Sequence, residues 1–359
     1  MNAALSRLVA LGVFGLAVAC AEPPPAPGGP GGGGGSSGSA SAGSSSGGAP
    51  AAGASGAATT GGSAGSTPGG AGNVGGGGAG TSGSAGAGGG VGVFEGSAVA
   101  AVTLTYDDGL DPHLATVQPA LDAVGLHGTF LLSNFEGVDH DWALPNLEEP
   151  LNARHMAWQA AAQKGHELTS HTVNHPCDNA GKAPNWLLSA YTQTRMGEEL
   201  DDSVARLTRL GGTAPFTFGY PCGSDKKGIG AAGEDYSPLV AARFFAARVS
   251  ETGIADPATV DLLKVPHMDT GGKTGDEIKA MVDQAIAAKG WLVLLFHGVG
   301  TETPSCPQGL VYQPQTCMIN YLTTSTEAHA ALVDYLNAKK AEVWTATFKE
   351  VATAIKAKR

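Results

Sequence analysis

The chain has 359 residues, with 21 Lys plus Arg against 32 Asp plus Glu and a net charge of −11. That acidity argues against nucleic acid or an anionic membrane surface as the partner and leaves neutral polymers open. Composition also divides the chain sharply, so only residues 93–359 have the means to bury a core.

Residues 1–20 have the layout of an export signal: Arg7, the apolar run Leu8 to Ala19, then Cys20. The run is too short to span a bilayer. Ala17, Val18 and Ala19 satisfy the small-x-small rule of ordinary signal cleavage, whereas Cys20 resembles the lipid-acceptor cysteine of bacterial lipoproteins, with Leu16 standing one place early for that pattern. Both routes lead out of the cytoplasm. The expectation is a chain lipid-anchored at Cys20 in the bacterial cell envelope, touching the membrane only through that anchor, with free secretion as the alternative.

Residues 21–92 read as a disordered linker. From Glu22 onward the stretch carries no other charge and holds 30 of the 55 glycines, among Ser, Ala and Pro. A flexible coil of this length has a root-mean-square reach of about 45 Å, so it is expected to act as a tether. Gly61 to Gly65 (GGSAG) matches the G-x-S-x-G serine-hydrolase pattern, but no strand precedes it and no helix follows, so the match is compositional.

Residues 93–359 are expected to form one domain. Ala98 to Tyr106 is apolar and β-rich, runs into Asp-Asp-Gly, and is followed by a helical stretch from His113 to Val124. Further strand-like runs are Gly128 to Leu132, His166 to Ser170, Phe216 to Tyr220, Phe244 to Val249, Leu262 to Val265, Trp291 to His297 and Val343 to Thr347. Helix-period segments lie between most of them: Trp186 to Leu210, Asp276 to Ala288 and Thr326 to Lys339. The alternation predicts an α/β fold, an irregular (β/α) barrel of about seven parallel strands. In such a barrel the chemistry gathers where the strands end.

Three groups of residues obey that rule. Asp107 and Asp108 follow the first strand in TYDDG; successive side chains point in different directions, so one carboxylate can bind a metal while the other faces a substrate as base. The bland alternative is a simple Asp-Asp-Gly turn. His171 and His175, four apart in SHTVNHPC, can converge on one ion, and Asp108 would complete a set of three that leaves room for water and substrate. The alternative is a pair of surface histidines. His166, Glu167 and His171 imitate the zincin motif but with the histidines five apart. His297 closes the apolar strand WLVLLF, either as a titrating group at the rim or as a satisfied core histidine.

With these motifs in order, the domain resembles the polysaccharide deacetylases of the NodB-homology type, carbohydrate esterase family 4. TYDDG is similar to the family's first motif, HTVNH to its H-[ST]-x-x-H second motif, and Leu295 to His297 (LFH) to its L-x-H final motif. The resemblance implies Asp107 as general base, His297 as general acid, and Asp108, His171 and His175 as ligands of Zn2+ or another divalent transition ion such as Co2+. The third motif, Arg-x-Pro-Tyr-Gly, aligns on Pro221 and Gly223, which puts Gly219 at the arginine and Cys222 at the tyrosine. Cys222 could still offer its backbone N–H to an oxyanion, with Tyr220 beside it facing substrate. The arginine that would pair with the base is missing from its place. His267 to Gly271 (HMDTG) occupies the region of the fourth motif.

The implied activity is metal-dependent removal of acetyl groups from a polysaccharide or oligosaccharide, with N-acetyl amides favoured. An O-acetyl esterase acting on xylan or an envelope polysaccharide is the first alternative, and a non-catalytic carbohydrate-binding envelope protein, motivated by the missing arginine, the second. Four cysteines, Cys177, Cys222, Cys306 and Cys317, suggest two disulfides in an exported chain. Cys306 with Cys317 closes a short loop, which leaves Cys177 with Cys222. Trp142, Trp158, Trp186 and Tyr220 are candidates for stacking on sugar rings, against the alternative that Trp158 and Trp186 are helix core.

Overall fold

The computed structural model describes residues 92–134, 143–178, 182–300 and 322–359. The expected signal segment, the linker up to residue 91, Cys20, Trp142, Cys306 and Cys317 lie outside the described residues.

Seven parallel strands close into a barrel. They are β1 (Ala100–Asp107), β2 (Thr129–Leu132), β3 (Glu167–Ser170), β4 (Phe216–Gly219), β5 (Phe244–Thr252), β6 (Val265–Asp269) and β7 (Trp291–Phe296), each paired to the next. Closure comes from β1, which pairs with β7 from Ala101 to Tyr106 along one edge. Its other edge is shared: Thr105 to Asp107 pair with β2, while Ala100 to Val102 pair with a late strand, β10 (Val343–Thr345). Two short strands, β8 (Gly298–Val299) and β9 (Thr323–Thr324), pair with each other beyond the rim.

Burial on both faces explains why these strands read as near-continuous apolar runs. On β1, Val102, Leu104 and Tyr106 join the large cluster packed under the helices, whereas Ala101 joins a smaller one with Trp291, Val293, Phe348 and Val351. Alternation therefore puts Asp107 on the face of β1 that carries Ala101, Thr103 and Thr105, and His297 on the face of Trp291, Val293 and Leu295. The two functional groups are carried above the smaller cluster on two paired strands. That cluster is closed by α7 (Phe348–Ala357), whose Thr347 cap and Glu350 form a reciprocal capping box and whose Phe348 ring lies 4.9 Å from Trp291.

The helices depart from the sequence reading in three places. The stretch from His113 is a π-turn (His113–Val117) followed by the short α1 (Gln118–Asp122), because Pro119 lacks the N–H that would continue an even ladder. Helix α3 (Gln193–Arg209) starts seven residues after Trp186, where Thr192 caps it by accepting from Arg195 N–H, and residues 184–190 form two 3-10 turns instead. Helix α2 (Ala153–Gln163), capped by Asn152, escaped the reading because its alanine-rich sequence has little apolar period. The remaining helices are α4 (Ser237–Ala241), α5 (Gly275–Ala288) and α6 (Thr326–Ala338). Strand β6 also starts later than expected, at Val265, which carries His267 and Asp269 to the rim.

Candidate active site

The strand ends form a cavity of about 240 Å³, lined among others by Asp107, His171, His175, Tyr220, Cys222, Arg248, His267, Asp269 and His297. Of the five non-glycine residues with left-handed backbone among the described residues, four carry this site: Asp108 (φ 81°), Thr172 (φ 62°), His175 (φ 50°) and Cys222 (φ 52°). Such conformations cost about 1–3 kcal/mol each and persist where surrounding contacts impose them. Gly109, also left-handed at φ 60°, turns the chain away at once, and a Cβ there would lie 2.6 Å from Ala143 Cβ.

Asp108, His171 and His175 bring one ligand atom each within 4.8 Å of one another. His175 Nε2 is 3.6 Å and His171 Nε2 3.8 Å from Asp108 Oδ1. All three side chains are buried. His171 Nδ1–H donates to the Gly219 carbonyl at 2.7 Å, which fixes the tautomer and turns Nε2 inward as a lone pair. Burial pushes His171 down to about 4 and His175 well below the usual histidine range, so both are neutral, as ligands must be. Burial and then the Asp107 charge push Asp108 well above the usual carboxylate range. Neither Asp108 oxygen has a hydrogen-bond partner among the described residues. A buried carboxylate in that state, between two neutral imidazoles, fits a divalent cation: the donor set of two nitrogens and one oxygen suits Zn2+ or Co2+.

The loop between the two histidines is held from outside. Glu199 on α3 accepts from Asn174 N–H at 2.8 Å and Asn174 Nδ2 at 3.2 Å, while Tyr191 donates its hydroxyl to the same carboxylate at 2.6 Å. His175 N–H donates to Thr172 Oγ1 at 2.9 Å, closing the turn that makes the four-residue spacing converge.

Asp107 is 2 % exposed, and its Oδ2 accepts from Arg248 Nη2 at 2.6 Å. Burial is the largest single influence and raises its pKa, but the Arg248 guanidinium, together with His171 and His297, more than offsets it and holds the carboxyl at about 2. Arg248 is the residue that sequence reasoning missed. It lies on β5, directly in register with Gly219 on β4, the position where the third-motif arginine was expected. A Cβ on Gly219 would overlap Leu131 Cδ2 and stand 3.1 Å from Arg248 Nη2 and 3.3 Å from His171 Nδ1. The glycine and the arginine are thus two halves of one arrangement, with the cation delivered from the next strand at the same height. The available signal was a lone charge inside the apolar strand FFAARV.

His297 is partly exposed and lines the same cavity, one residue past Phe296, which pairs with Tyr106 next to Asp107; burial pushes its pKa below the usual value, and Asp107 is the largest opposing influence. Of the fourth-motif region, His267 donates Nδ1–H to the Val249 carbonyl at 2.7 Å and, with Asp269, lines the cavity, while Thr270 is buried and donates to the Leu295 carbonyl. Tyr220 lines the cavity but is largely packed against Phe218 and Tyr236. Trp158 is fully buried in α2, and Trp186 packs partly on the core with Arg195 over its ring at 5.1 Å, so neither is a sugar platform in this structure.

Cys177 and Cys222 form a disulfide across 6.0 Å between their Cα atoms, as expected from the sequence. The bridge ties the loop after His175 to the turn that holds Cys222. Loss of the bridge in Cys177→Ser is expected to cost about 2–4 kcal/mol of stability. It is also expected to lower turnover while the protein is still folded, since both tied loops line the cavity. Activity and circular dichroism followed together during mild reduction check this; unchanged turnover in a verified reduced, folded protein would contradict it.

Residues 97–236 match the family model described as polysaccharide deacetylase. A curated relative, a gellan lyase from Bacillus sp, is 25% identical over 192 residues, covering 48% of this chain. The match takes in only 7% of that relative's own length. Among solved structures, one from Mycobacterium smegmatis described as a polysaccharide deacetylase aligns at TM-score 0.47 and 15% identity over 74% of this chain and 93% of that one. A family 4 carbohydrate esterase from Streptomyces lividans in complex with acetate aligns at TM-score 0.40 and 17% identity, over 68% and 91%.

Proposed function

With the resemblance to the polysaccharide deacetylase family carried by residues 97–236 as premise, we propose that this protein is a metal-dependent hydrolase that removes acetyl groups from a polysaccharide or oligosaccharide, N-acetyl amides in particular. The observation that carries the reading is the convergence of three separate sequence motifs on one cavity, with Asp107 paired to Arg248 at 2.6 Å and Asp108, His171 and His175 within ligand reach of each other.

A divalent ion held by Asp108, His171 and His175 would supply Lewis acidity to the acetyl carbonyl and lower the pKa of water. The chain's own residues do the rest. Asp107, kept ionised by Arg248, has Oδ1 without a partner among the described residues and takes the proton from the attacking water. The Cys222 backbone N–H, held by the disulfide-tied turn, donates to the carbonyl oxygen as negative charge develops there. His297, which lines the same cavity, protonates the leaving nitrogen, and acetate and a free amine depart. The pairing of Asp107 with Arg248 removes the motive for a non-catalytic reading, because the base is supported even though the third motif lacks its arginine.

Export, a lipid anchor at Cys20 and a place in the cell envelope belong to the same proposal: a tether of about 45 Å suits an enzyme working on an extracellular polymer. The test is acetate release from N-acetylated chitooligosaccharides and from O-acetylated xylan by the zinc-loaded protein. Release from the first at the higher kcat/KM supports the amide reading. Release from xylan alone makes the protein an O-acetyl esterase, and release from neither, in a folded zinc-loaded protein that still binds the sugars, supports a binding protein instead.

A further inference from the structure

His113 is fully buried and belongs to none of the three motifs. Its Nδ1 accepts the Leu110 backbone N–H at 3.2 Å, and its Nε2 lies 2.6 Å from the His297 carbonyl oxygen. A peptide N–H can only donate and a carbonyl only accept, so the tautomer is fixed: the proton is on Nε2 and is donated to His297. Burial pushes the imidazole down to about 4, so the neutral form that makes both bonds persists at any pH where the protein would work.

The place of that carbonyl gives the contact its meaning. β7 ends at Phe296, paired with Tyr106, and β8 starts at Gly298, paired with Thr323. His297 is therefore the single residue between two ladders, and its peptide is oriented by His113. The other end of His113 holds Leu110, two residues past Asp108. The ring itself is wedged, its centroid 5.5 Å from that of Tyr106 and 5.9 Å from that of Phe130.

We propose that His113 is a positioning residue: it clamps the backbone of His297 to the Asp107–Leu110 loop and so sets the distance between the acid and the base. The inference rests on the reading of His297 as the acid. A side chain that only fills the core would affect every substrate alike. One that aims the acid matters most where the leaving group needs a proton, as a sugar amine does and 4-nitrophenolate does not.

The experiment compares the intact zinc-loaded protein with its His113→Gln, His113→Asn and His113→Phe variants, on an N-acetyl chitooligosaccharide and on 4-nitrophenyl acetate. Phe removes both hydrogen bonds, and Asn can mimic Nδ1 but does not reach the carbonyl. Both are expected to lose about 10–100-fold in kcat on the amide and less than about threefold on the aryl ester, with KM and zinc stoichiometry kept. Gln, whose Nε2 can take the place of the histidine donor, is expected to restore most of the loss. Equal losses on both substrates, no loss in Asn and Phe, or no advantage of Gln over Asn would overturn the role of His113. Absence of amide turnover in the wild-type protein would instead sink the acid assignment, and this inference with it.

Discussion

Replacing Asp107 with asparagine lowers acetate release by about 10²–10⁴-fold, the range in which a general base contributes, while divalent-ion binding survives. The substitution keeps the shape of the side chain and can keep an oxygen on Arg248 Nη2, so the 2.6 Å contact has a successor. What it removes is the proton acceptor at Oδ1. The ion, held by Asp108 and the two histidines, loses no ligand in this reading. Acetate assays beside a zinc titration separate the two: loss of turnover with one equivalent of zinc still bound is the expected pair of results, and retention of more than a tenth of wild-type activity would contradict the assignment of the base.

The second large effect is expected at Arg248. In Arg248→Met the cation is gone while the burial of Asp107 remains, so a buried carboxylate is left unpaired, a change that typically costs about 3–5 kcal/mol. The sign of the accompanying pH effect follows from the causes of the wild-type shift. Burial is the largest influence and raises the Asp107 pKa, and Arg248, with further lowering from His171 and His297, reverses it to about 2. The pairing therefore contributes stability that is present above the unfolded carboxylate value and is lost as pH falls through about 2. Without Arg248 the largest lowering influence is gone while burial remains, so Asp107 takes up its proton at higher pH. The acid limb of the kcat/KM profile moves upward, and the fraction of active base at pH 5–6 falls. A pH–rate profile of the variant checks this; an acid limb unchanged from the wild type would show that Arg248 does not govern the base. Arg248→Lys should recover only part of the function, because an ammonium lacks the planar fork and the reach that bring Nη2 onto Oδ2.

How far the sequence foretold this arrangement differs by residue. The barrel was legible because its strands are buried on both faces and read as apolar runs, of which WLVLLF is the plainest. Asp107, Asp108, His171, His175 and His297 were legible because each pair or single residue stands where a strand ends, so a local pattern carried a tertiary statement. The Cys177–Cys222 bridge followed from parity and loop length. Arg248 was not legible by motif: it acts from a different strand, 29 residues after Gly219, and only the β4–β5 register brings the two together. His113 was hidden in the same way, since a buried histidine in a helical stretch looks like core until its two hydrogen-bond partners are known. Glu199 grips the loop between His171 and His175 from α3 through Asn174, a contact that no spacing announces. The interrupted helix at His113 and the late start of α3 turned on single residues, Pro119 and Thr192, that a broad apolar period averages away.

The measurement that bears most directly on the central claim is acetate release by the protein stripped of metal, then restored with one equivalent of zinc, beside Asp108→Ala treated identically. The account predicts that stripping abolishes release from an N-acetylated chitooligosaccharide, that one equivalent of zinc or cobalt restores it, and that Asp108→Ala neither binds the ion tightly nor regains activity. Release that persists in the stripped protein, or that zinc restores equally in Asp108→Ala, would contradict the assignment of Asp108, His171 and His175 as the metal centre of a deacetylase.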